Sequence, residues 1–250
     1  MPSPQLICRD LQMTDYSKYG INNTDPHDRK RYVRSMFDSI VPTYDMLNRV
    51  LSLSIDRTWR SSLVAMAGSI SGRRVLDICC GTGDLTKKLV AAGADVYSLD
   101  FSFEMLKAGR AKGWLGGKNI SADAGRLPFN DKSFYMLSIA FGIRNIPDVD
   151  VFLREAFRVL EPGGALYILE LTRPENSAVR FFYNLYLMKI IPFVGGILSG
   201  KREAYRYLAG TISTFLDRAE LVERIKSAGF SRVSFKSKTL GAATIYVCVK

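Results

Sequence analysis

Three acidic residues, Asp77, Asp100 and Asp123, each stand at or just after the end of a short apolar segment of the chain. The first lies in the stretch VLDICCGTGD (75–84), where a glycine-threonine-glycine turn follows it. Carboxylates in such places can pair with a cationic amine or accept hydrogen bonds from hydroxyl groups. Glycines allow a sharp turn and a close approach of the backbone to a ligand. The pattern therefore indicates a small-molecule site.

The glycine turn, Gly81-Thr82-Gly83, does not fit a dinucleotide site. The dinucleotide fingerprint has a third glycine where this chain has Thr86. Asp84 also places an anion at the start of the following helix, where a pyrophosphate would otherwise lie. S-Adenosylmethionine fits better, because it has no phosphate and carries a sulfonium and an ammonium group.

Each of the three acids has an expected partner on S-adenosylmethionine. We expect Asp77 to meet the positively charged amino-acid end, Asp100 to accept the ribose hydroxyls, and Asp123 with Ala124 to bind the adenine amino group. The alternative is that Asp77 caps a helix and the other two are ordinary loop acids, since single acids are common in turns.

The adjacent cysteines, Cys79 and Cys80, are expected to be packing residues at the last strand position and in the turn. Cysteine commonly behaves as a small hydrophobe, and no adjacent basic residue or histidine would lower a thiol pKa. Cys8 and Cys248 lie near the chain ends, and the one histidine, His27, lies in a polar stretch. We therefore expect no metal site and a reducing compartment.

Strands and helices alternate from residue 74 onward, which predicts an α/β fold with a doubly wound, mostly parallel sheet. Two further strands near the C-terminus are expected to form an antiparallel hairpin at the sheet edge, giving seven strands. The predicted strands are 74–80, 95–100, 120–122, 134–141, 165–170, 233–238 and 243–249, and the predicted helices are 85–92, 104–112, 149–160 and 216–228.

Three other segments flank this pattern. Residues 1–28 are polar and are expected to be irregular, and helical spacing of apolar residues predicts helices within 29–70. Residues 177–210 form an apolar, aromatic insertion. We expect one domain over 29–250.

The net charge of +11 favours contact with an anionic membrane surface or a nucleic acid, although it can equally describe a solvated basic surface. The N-terminus has no apolar run typical of a signal peptide. No segment has ~20 uninterrupted apolar residues, so we expect no segment to span a bilayer. A cytoplasmic chain is expected, in peripheral contact with the inner face of the membrane if the insertion binds lipid.

From about Arg31 to its C-terminus, the chain resembles the C-methyltransferases of menaquinone and ubiquinone biosynthesis. The glycine motif alone is typical of any Rossmann-like methyltransferase that uses S-adenosylmethionine, whereas FGIRN and YDMLN are far more specific. The stretches that carry the resemblance are MFDSIVPTYDMLNRVLSLSIDRTWR (36–60), VLDICCGTGD (75–84), LDFSFEML (99–106), SADAGRLPFNDKSF with SIAFGIRNIPD (121–134 and 138–148), and RVLEPGGALYILELTRPE (158–175).

The resemblance implies methyl transfer from S-adenosylmethionine to a ring carbon of a prenylated quinol, with demethylmenaquinol as the first choice. By the family's pattern, Thr82, Asp100, Asp123 and Ala124 would contact the cofactor. The full set of residues that we expect to bind the cofactor is Asp77, Gly81, Thr82, Gly83, Asp100, Phe101, Asp123, Ala124 and Ala140. Some members have serine where this chain has Ala140, so a backbone contact is expected there.

Three residues are candidates for catalysis. We expect Arg144 to stabilise the phenolate that forms on the quinol, and Asn145 and Tyr44 to orient the ring or hold a water that takes the proton. The alternative is that Arg144 pairs with an acid such as Asp45 and is structural.

Several alternatives remain open at this point. The acceptor could be a ubiquinone-pathway benzoquinol, a sterol, a phospholipid amine or RNA, and the chain could be a binding protein that keeps the fold. We expect no nucleic-acid partner, because no RNA-binding module is evident. The insertion 177–210 could bind the prenyl chain or a membrane, with Lys189, Lys201, Arg202 and Arg206 meeting lipid headgroups. A homodimer is an open possibility.

Overall fold

A seven-stranded sheet forms the centre of the computed structural model, which describes residues 26–250 apart from the side chains of 26–28, 199 and 202. The expectation for residues 1–25, Cys8 and the side chain of His27 lies outside this part. The strands are β1 (Arg74–Ile78), β2 (Asp95–Asp100), β3 (Asn119–Ser121), β4 (Phe134–Ala140), β5 (Leu160–Leu171), β6 (Arg232–Lys238) and β7 (Ala243–Val249).

The strand order is β3-β2-β1-β4-β5-β7-β6. The first five strands are parallel, and β7 runs antiparallel to both β5 and β6. The predicted fold class is confirmed. The order reverses between β1 and β4, and ligands of open α/β sheets bind beyond the strand ends at such a point.

Ten helices surround the sheet in the described part of the chain. They are α1 (Pro26–Ile40), α2 (Tyr44–Leu51), α3 (Asp56–Met66), α4 (Thr86–Ala91), α5 (Phe103–Ala111), α6 (Val149–Val159), α7 (Ser177–Leu185), α8 (Ile191–Ser199), α9 (Arg202–Thr214) and α10 (Arg218–Ser227). A π-helical turn, Tyr186–Ile190, joins α7 to α8.

Both faces of the sheet are buried, which explains the continuous apolar runs of the central strands. In β1, Leu76 packs in a core with Phe152 of α6, while Val75 packs on the other face with Leu63 of α3. A separate apolar cluster joins α1, α2, α8 and α9 through residues such as Leu47. These four helices therefore form a cap with its own core.

Three predicted boundaries are wrong for local reasons. Strand β1 ends at Ile78, because Cys79 has φ +54°, so both Cys79 and Cys80 lie beyond the strand. Strand β5 begins at Leu160, which pairs with Phe134 ahead of an irregularity in the pairing. The Pro162-Gly163-Gly164 sequence, which is typical of a turn, lies inside this strand. Helix α1 begins at Pro26, within the segment expected to be irregular.

The helical segment Ser177–Leu198 is long and apolar enough to be a candidate membrane span, by length and composition only. Only 22% of its most apolar window is buried. The expectation that no segment spans a bilayer rested on uninterrupted apolar runs, which Arg180 and Lys189 break here. It stays a prediction.

Candidate functional site

Three adjoining cavities lie beyond the carboxyl ends of the parallel strands. We call them the strand-end cavity, between α1 and the ends of β1, β2 and β4; the helix cavity, inside the cap; and the polar cavity, beside the glycine turn. Tyr44 lines all three cavities. The strand-end and helix cavities also share Phe37, Phe141 and Asn145. A molecule in one cavity can therefore meet a molecule in the next.

The strand-end cavity collects most of the expected cofactor residues. Those that line it are Gly81, Asp100, Phe101, Asp123, Ala124 and Ala140. Among the other expected residues, Asp77 and Thr82 line the polar cavity, and Gly83 lines neither. The main structural demand on Gly83 is its φ of +94°, and a Cβ there would lie 2.7 Å from Leu115 Cδ2.

Asp100, at the end of β2, is held by backbone amides. The Gly81 amide donates to Asp100 Oδ2 at 2.7 Å, and the Ser102 amide donates to Asp100 Oδ1 at 2.8 Å. Burial raises the pKa of Asp100 to about 6, although these two hydrogen bonds lower it. Asp100 keeps lone pairs for further donors at the cavity wall, which suits a diol.

Asp123, after β3, pairs with the Lys30 ammonium of α1. Partial burial raises the pKa of Asp123, but the hydrogen bonds from Lys30 and the Gly125 amide outweigh it, so the pKa is lowered overall. Asp123 is therefore ionised near neutral pH. Lys30 and Asp123 both line the strand-end cavity, so α1 covers the place expected for adenine.

Asp77 is almost completely buried, and both its oxygens accept hydrogen bonds. Thr86 Oγ1 donates to Oδ2 at 2.6 Å, and Ser138 Oγ donates to Oδ1 at 2.8 Å. Burial raises the pKa of Asp77 to about 6. Thr82, also expected to touch the cofactor, donates its hydroxyl to Asp45 Oδ1 at 2.6 Å.

Arg144 lines the helix cavity and is paired with Glu170, the penultimate residue of β5. The Glu170 side chain has no exposed surface, and that of Arg144 is 7% exposed. Asp45, the acid suggested for this pairing, instead pairs with Lys112. The Arg144 Nε group is buried and has no hydrogen-bond partner among the described residues. Such a buried donor is uncommon in a folded protein, and it can donate to a molecule bound in the helix cavity.

The other two catalytic candidates lie close to Arg144. Asn145 adjoins it on a short helical turn, and the Tyr207 hydroxyl donates to Asn145 Oδ1 at 3.3 Å. Burial raises the pKa of Tyr44, while the Arg60 and Arg144 charges lower it in part. Tyr44 is therefore a neutral hydrogen-bonding group near neutral pH.

The cysteines behave as packing residues. Burial and the nearby Asp100 charge raise the pKa of the Cys79 thiol and that of the Cys80 thiol well above the ordinary value. A thiol with a raised pKa is a poor nucleophile. In the described part of the chain, no three His, Cys, Asp or Glu residues form a group that could hold a metal ion.

Sequence reasoning did not single out Lys30, Arg60, Phe141 or Glu170. In the sequence, Lys30 and Arg60 are typical of the charged residues of amphipathic helices, and Glu170 is typical of a polar residue at the end of a strand. Phe141 has φ +61°, unusual for an aromatic residue, directly after β4. A basic residue on the buried face of α3, next to Trp59, is the one signal that could have found Arg60.

Comparison with solved structures agrees with this architecture. A methyltransferase from Thermotoga maritima has a TM-score of 0.61 at 19% identity, covering 86% of this chain and 99% of that one. A phosphoethanolamine N-methyltransferase from Haemonchus contortus has a TM-score of 0.57 at 17% identity, covering 76% of this chain and 52% of that one. The fold is therefore that of S-adenosylmethionine-dependent methyltransferases, and the family match described next gives S-adenosylmethionine as the cofactor.

Sequence comparison then gives the family. The profile of the ubiE/COQ5 methyltransferase family matches residues 24–250, and the chain belongs to this family. A ubiquinone/menaquinone biosynthesis C-methyltransferase UbiE from Saccharophagus degradans is 38% identical over 93% of this chain and 96% of its own length. A demethylmenaquinone methyltransferase from a Mycobacterium species is 41% identical over 90% of this chain and 95% of its own length.

Proposed function

We propose that the chain methylates a ring carbon of a prenylated quinol and that its acceptor is demethylmenaquinol. The observation that carries this proposal is the shared wall of Phe37, Tyr44, Phe141 and Asn145 between the strand-end and helix cavities. It would place a cofactor and a second, apolar molecule side by side. Alignment of two reactants in this way is a large part of catalysis for a reaction with a good leaving group.

The residues present fit the cofactor. Asp100 would accept hydrogen bonds from the ribose hydroxyls. Asp123 with Ala124 would bind the adenine amino group once the Lys30 ammonium moves away from Asp123. Asp77 would stabilise the ammonium group across the polar cavity. S-Adenosylmethionine, when bound, supplies the methyl group that is transferred.

The helix cavity suits a quinol with an apolar tail. Its volume is about 280 Å³, and apolar residues such as Leu51, Leu187 and Ile212 line it. The polar groups concentrate at one end, at Arg144 and Asn145. A ring oxygen would meet these two residues while a prenyl chain extends along the apolar wall.

Arg144 would act through the orphaned Nε–H. This group would donate a hydrogen bond to the quinol oxygen and stabilise the negative charge that grows as the ring hydroxyl loses its proton. Because Glu170 already offsets the guanidinium charge, the contribution of Arg144 is a directed hydrogen bond more than a net charge. Asn145 and Tyr44 would orient the ring or hold the water that takes the proton.

The naphthoquinol is favoured over the benzoquinol by the CCGTGD sequence, which is closer to the menaquinone members of the family. Relatives with either name are similarly close, at 41% and 38% identity. The test is a methyl-transfer assay with labelled S-adenosylmethionine under reducing conditions, with short-chain demethylmenaquinol and its benzoquinol analogue. Transfer to the naphthoquinol alone is the expected result. Transfer to both would indicate a dual-pathway enzyme, and transfer to neither, with cofactor bound, would refute the quinol proposal.

The same enzyme would bind peripherally to an anionic membrane surface through α7 and α8. Large apolar side chains stand out from this segment: Phe181, Phe182, Phe193 and Ile197 are 62–68% exposed. The exposed basic residues Arg180 and Lys189 lie on this segment, and the exposed Arg206 lies on α9. An apolar surface beside positive charge is typical of an interfacial anchor. It would bring the helix cavity next to a lipid-dissolved substrate.

A further inference from the structure

Arg60 is a buried cation in the polar cavity, which two acids, Asp77 and Asp84, also line. The polar cavity contains Asp77, Asp84 and Thr82 beside the glycine turn, and Arg60 is the one Lys or Arg among the described residues that line it. Arg60 is 6% exposed. Its charge lowers the pKa of Asp77 in part, against the larger effect of burial, so the two groups interact.

The Arg60 guanidinium is fixed on two sides. Nη1 donates to Asp56 Oδ2, one helical turn earlier on α3, and Ser52 Oγ donates to Asp56 Oδ1 at 2.7 Å. The guanidinium also stacks over the Phe141 ring, with Cζ 5.0 Å from the centroid. An arginine held in one plane is pre-organised to bind a carboxylate.

Arginine has five N–H donors, and the Arg60 hydrogen bond found in the described part of the chain uses only Nη1. A buried ion pair is weak grounds for stability, because desolvation offsets most of the attraction. The Asp56–Arg60 pair would therefore contribute little to holding α3 in place. The position of Arg60 in the wall of the polar cavity indicates a binding role instead.

We propose that Arg60 binds the carboxylate of the methionine end of S-adenosylmethionine. The amino-acid end carries an ammonium and a carboxylate on one carbon, so a site with acids alone would repel half of it. Asp77 and Arg60, which line the same cavity, would complement both charges. Asp56 positions Arg60, and Tyr44, which lines the same cavity, connects this end to the transfer site. The inference rests on the cofactor positions proposed above.

The test compares two ligands that differ only in the carboxylate: S-adenosylhomocysteine and its decarboxylated analogue. Dissociation constants are measured by calorimetry with no quinol present, so the outcome does not depend on the acceptor proposal. In the wild type, the carboxylate should tighten binding by about 10- to 100-fold, as expected for a charge-assisted contact with arginine. Arg60→Met should reduce this preference to about twofold or less, and Arg60→Lys should give an intermediate ratio.

Two further variants keep the test decisive. Arg57→Met changes an exposed cation on the same helix and should leave the preference unchanged. If Arg60→Met fails to fold because Asp56 loses its partner, the neutral pair Asp56→Asn/Arg60→Met replaces it. If a folded variant without Arg60 still binds S-adenosylhomocysteine tenfold or more tightly than the decarboxylated analogue, another group binds the carboxylate. That result would overturn the proposal.

Discussion

Replacing Arg144 by alanine should damage both stability and turnover, for two separable reasons. The variant leaves Glu170, which has no exposed surface, as an unpaired buried charge. Breaking a buried pair in this way costs about 3–5 kcal/mol, a large part of the ~5–15 kcal/mol that stabilises a typical domain. It also removes the Nε–H donor, and loss of one such donor lowers kcat by about 100- to 1,000-fold.

A double variant separates the two effects. Arg144→Met/Glu170→Gln removes both charges and keeps a side-chain oxygen for the Leu171 amide, which donates to Glu170 Oε1 at 2.8 Å. The free energy of unfolding should return to within about 2 kcal/mol of the wild type, because an uncharged pair of similar volume has no buried charge left to compensate. Turnover should stay as low as in Arg144→Ala.

The assays are urea unfolding followed by circular dichroism, calorimetry for cofactor affinity, and labelled methyl transfer. Cofactor affinity should be unchanged in the double variant, because Arg144 lines the helix cavity only. A double variant that turns over at the wild-type rate would remove Arg144 from the mechanism. Wild-type stability in Arg144→Ala would refute the energetic argument for the Glu170 pair.

Three further predictions concern the cofactor, the glycine turn and the membrane. Affinity for S-adenosylmethionine should fall as the pH drops below 6, because burial raises the pKa values of Asp77 and Asp100 to about 6 and only the ionised carboxylates bind a cation or a diol well. Asp77→Asn should flatten the pH profile of the affinity measured by calorimetry, and a profile identical to that of the wild type would contradict the role of Asp77. Gly83→Ala should cost about 1–3 kcal/mol in urea unfolding, because alanine is strained at φ +94° and its Cβ would overlap Leu115. Gly116→Ala, whose Cβ would meet nothing within 4 Å, should leave the free energy of unfolding unchanged, and equal stabilities of the two variants would refute this argument. Lys189→Gln and Arg206→Gln should each weaken binding to anionic vesicles by about fivefold, the equivalent of ~1 kcal/mol per charge, and Lys236→Gln on β6 should not; equal binding by all three would discard the membrane proposal.

The strands were predictable because a strand that is buried on both faces of a sheet has a short, nearly continuous run of apolar residues. The grouping of Asp77, Asp100 and Asp123 near the carboxyl ends of β1, β2 and β3 was predictable as well, since parallel strands bring these ends to one edge of the sheet. Backbone details were less accessible. The Cys-Cys sequence does not indicate that Cys79 has φ +54° and that β1 ends before it. The Pro162-Gly163-Gly164 sequence is typical of a turn, so the pairing of Leu160 with Phe134 could not be predicted.

The partners of buried charges were the least predictable part of the site. Arg144 meets Glu170 from 26 residues away, and Lys30 meets Asp123 from 93 residues away. Sequence spacing carries no information on such contacts. Lys30 reaches Asp123 because α1 folds back over the sheet, and Arg144 reaches Glu170 because β4 and β5 are neighbours in the sheet. Arg60 was overlooked because its neighbours, Phe141 and the glycine turn, meet α3 only in the folded chain.

The most direct measurement is a crystal structure of the enzyme with S-adenosylhomocysteine and a short-chain demethylmenaquinol. The account predicts adenosine in the strand-end cavity, with its ribose hydroxyls on Asp100, and the quinol ring in the helix cavity beside Tyr44, with one ring oxygen on Arg144 Nε. A quinol bound outside the helix cavity, or a ring that leaves Arg144 Nε without an acceptor, would contradict it.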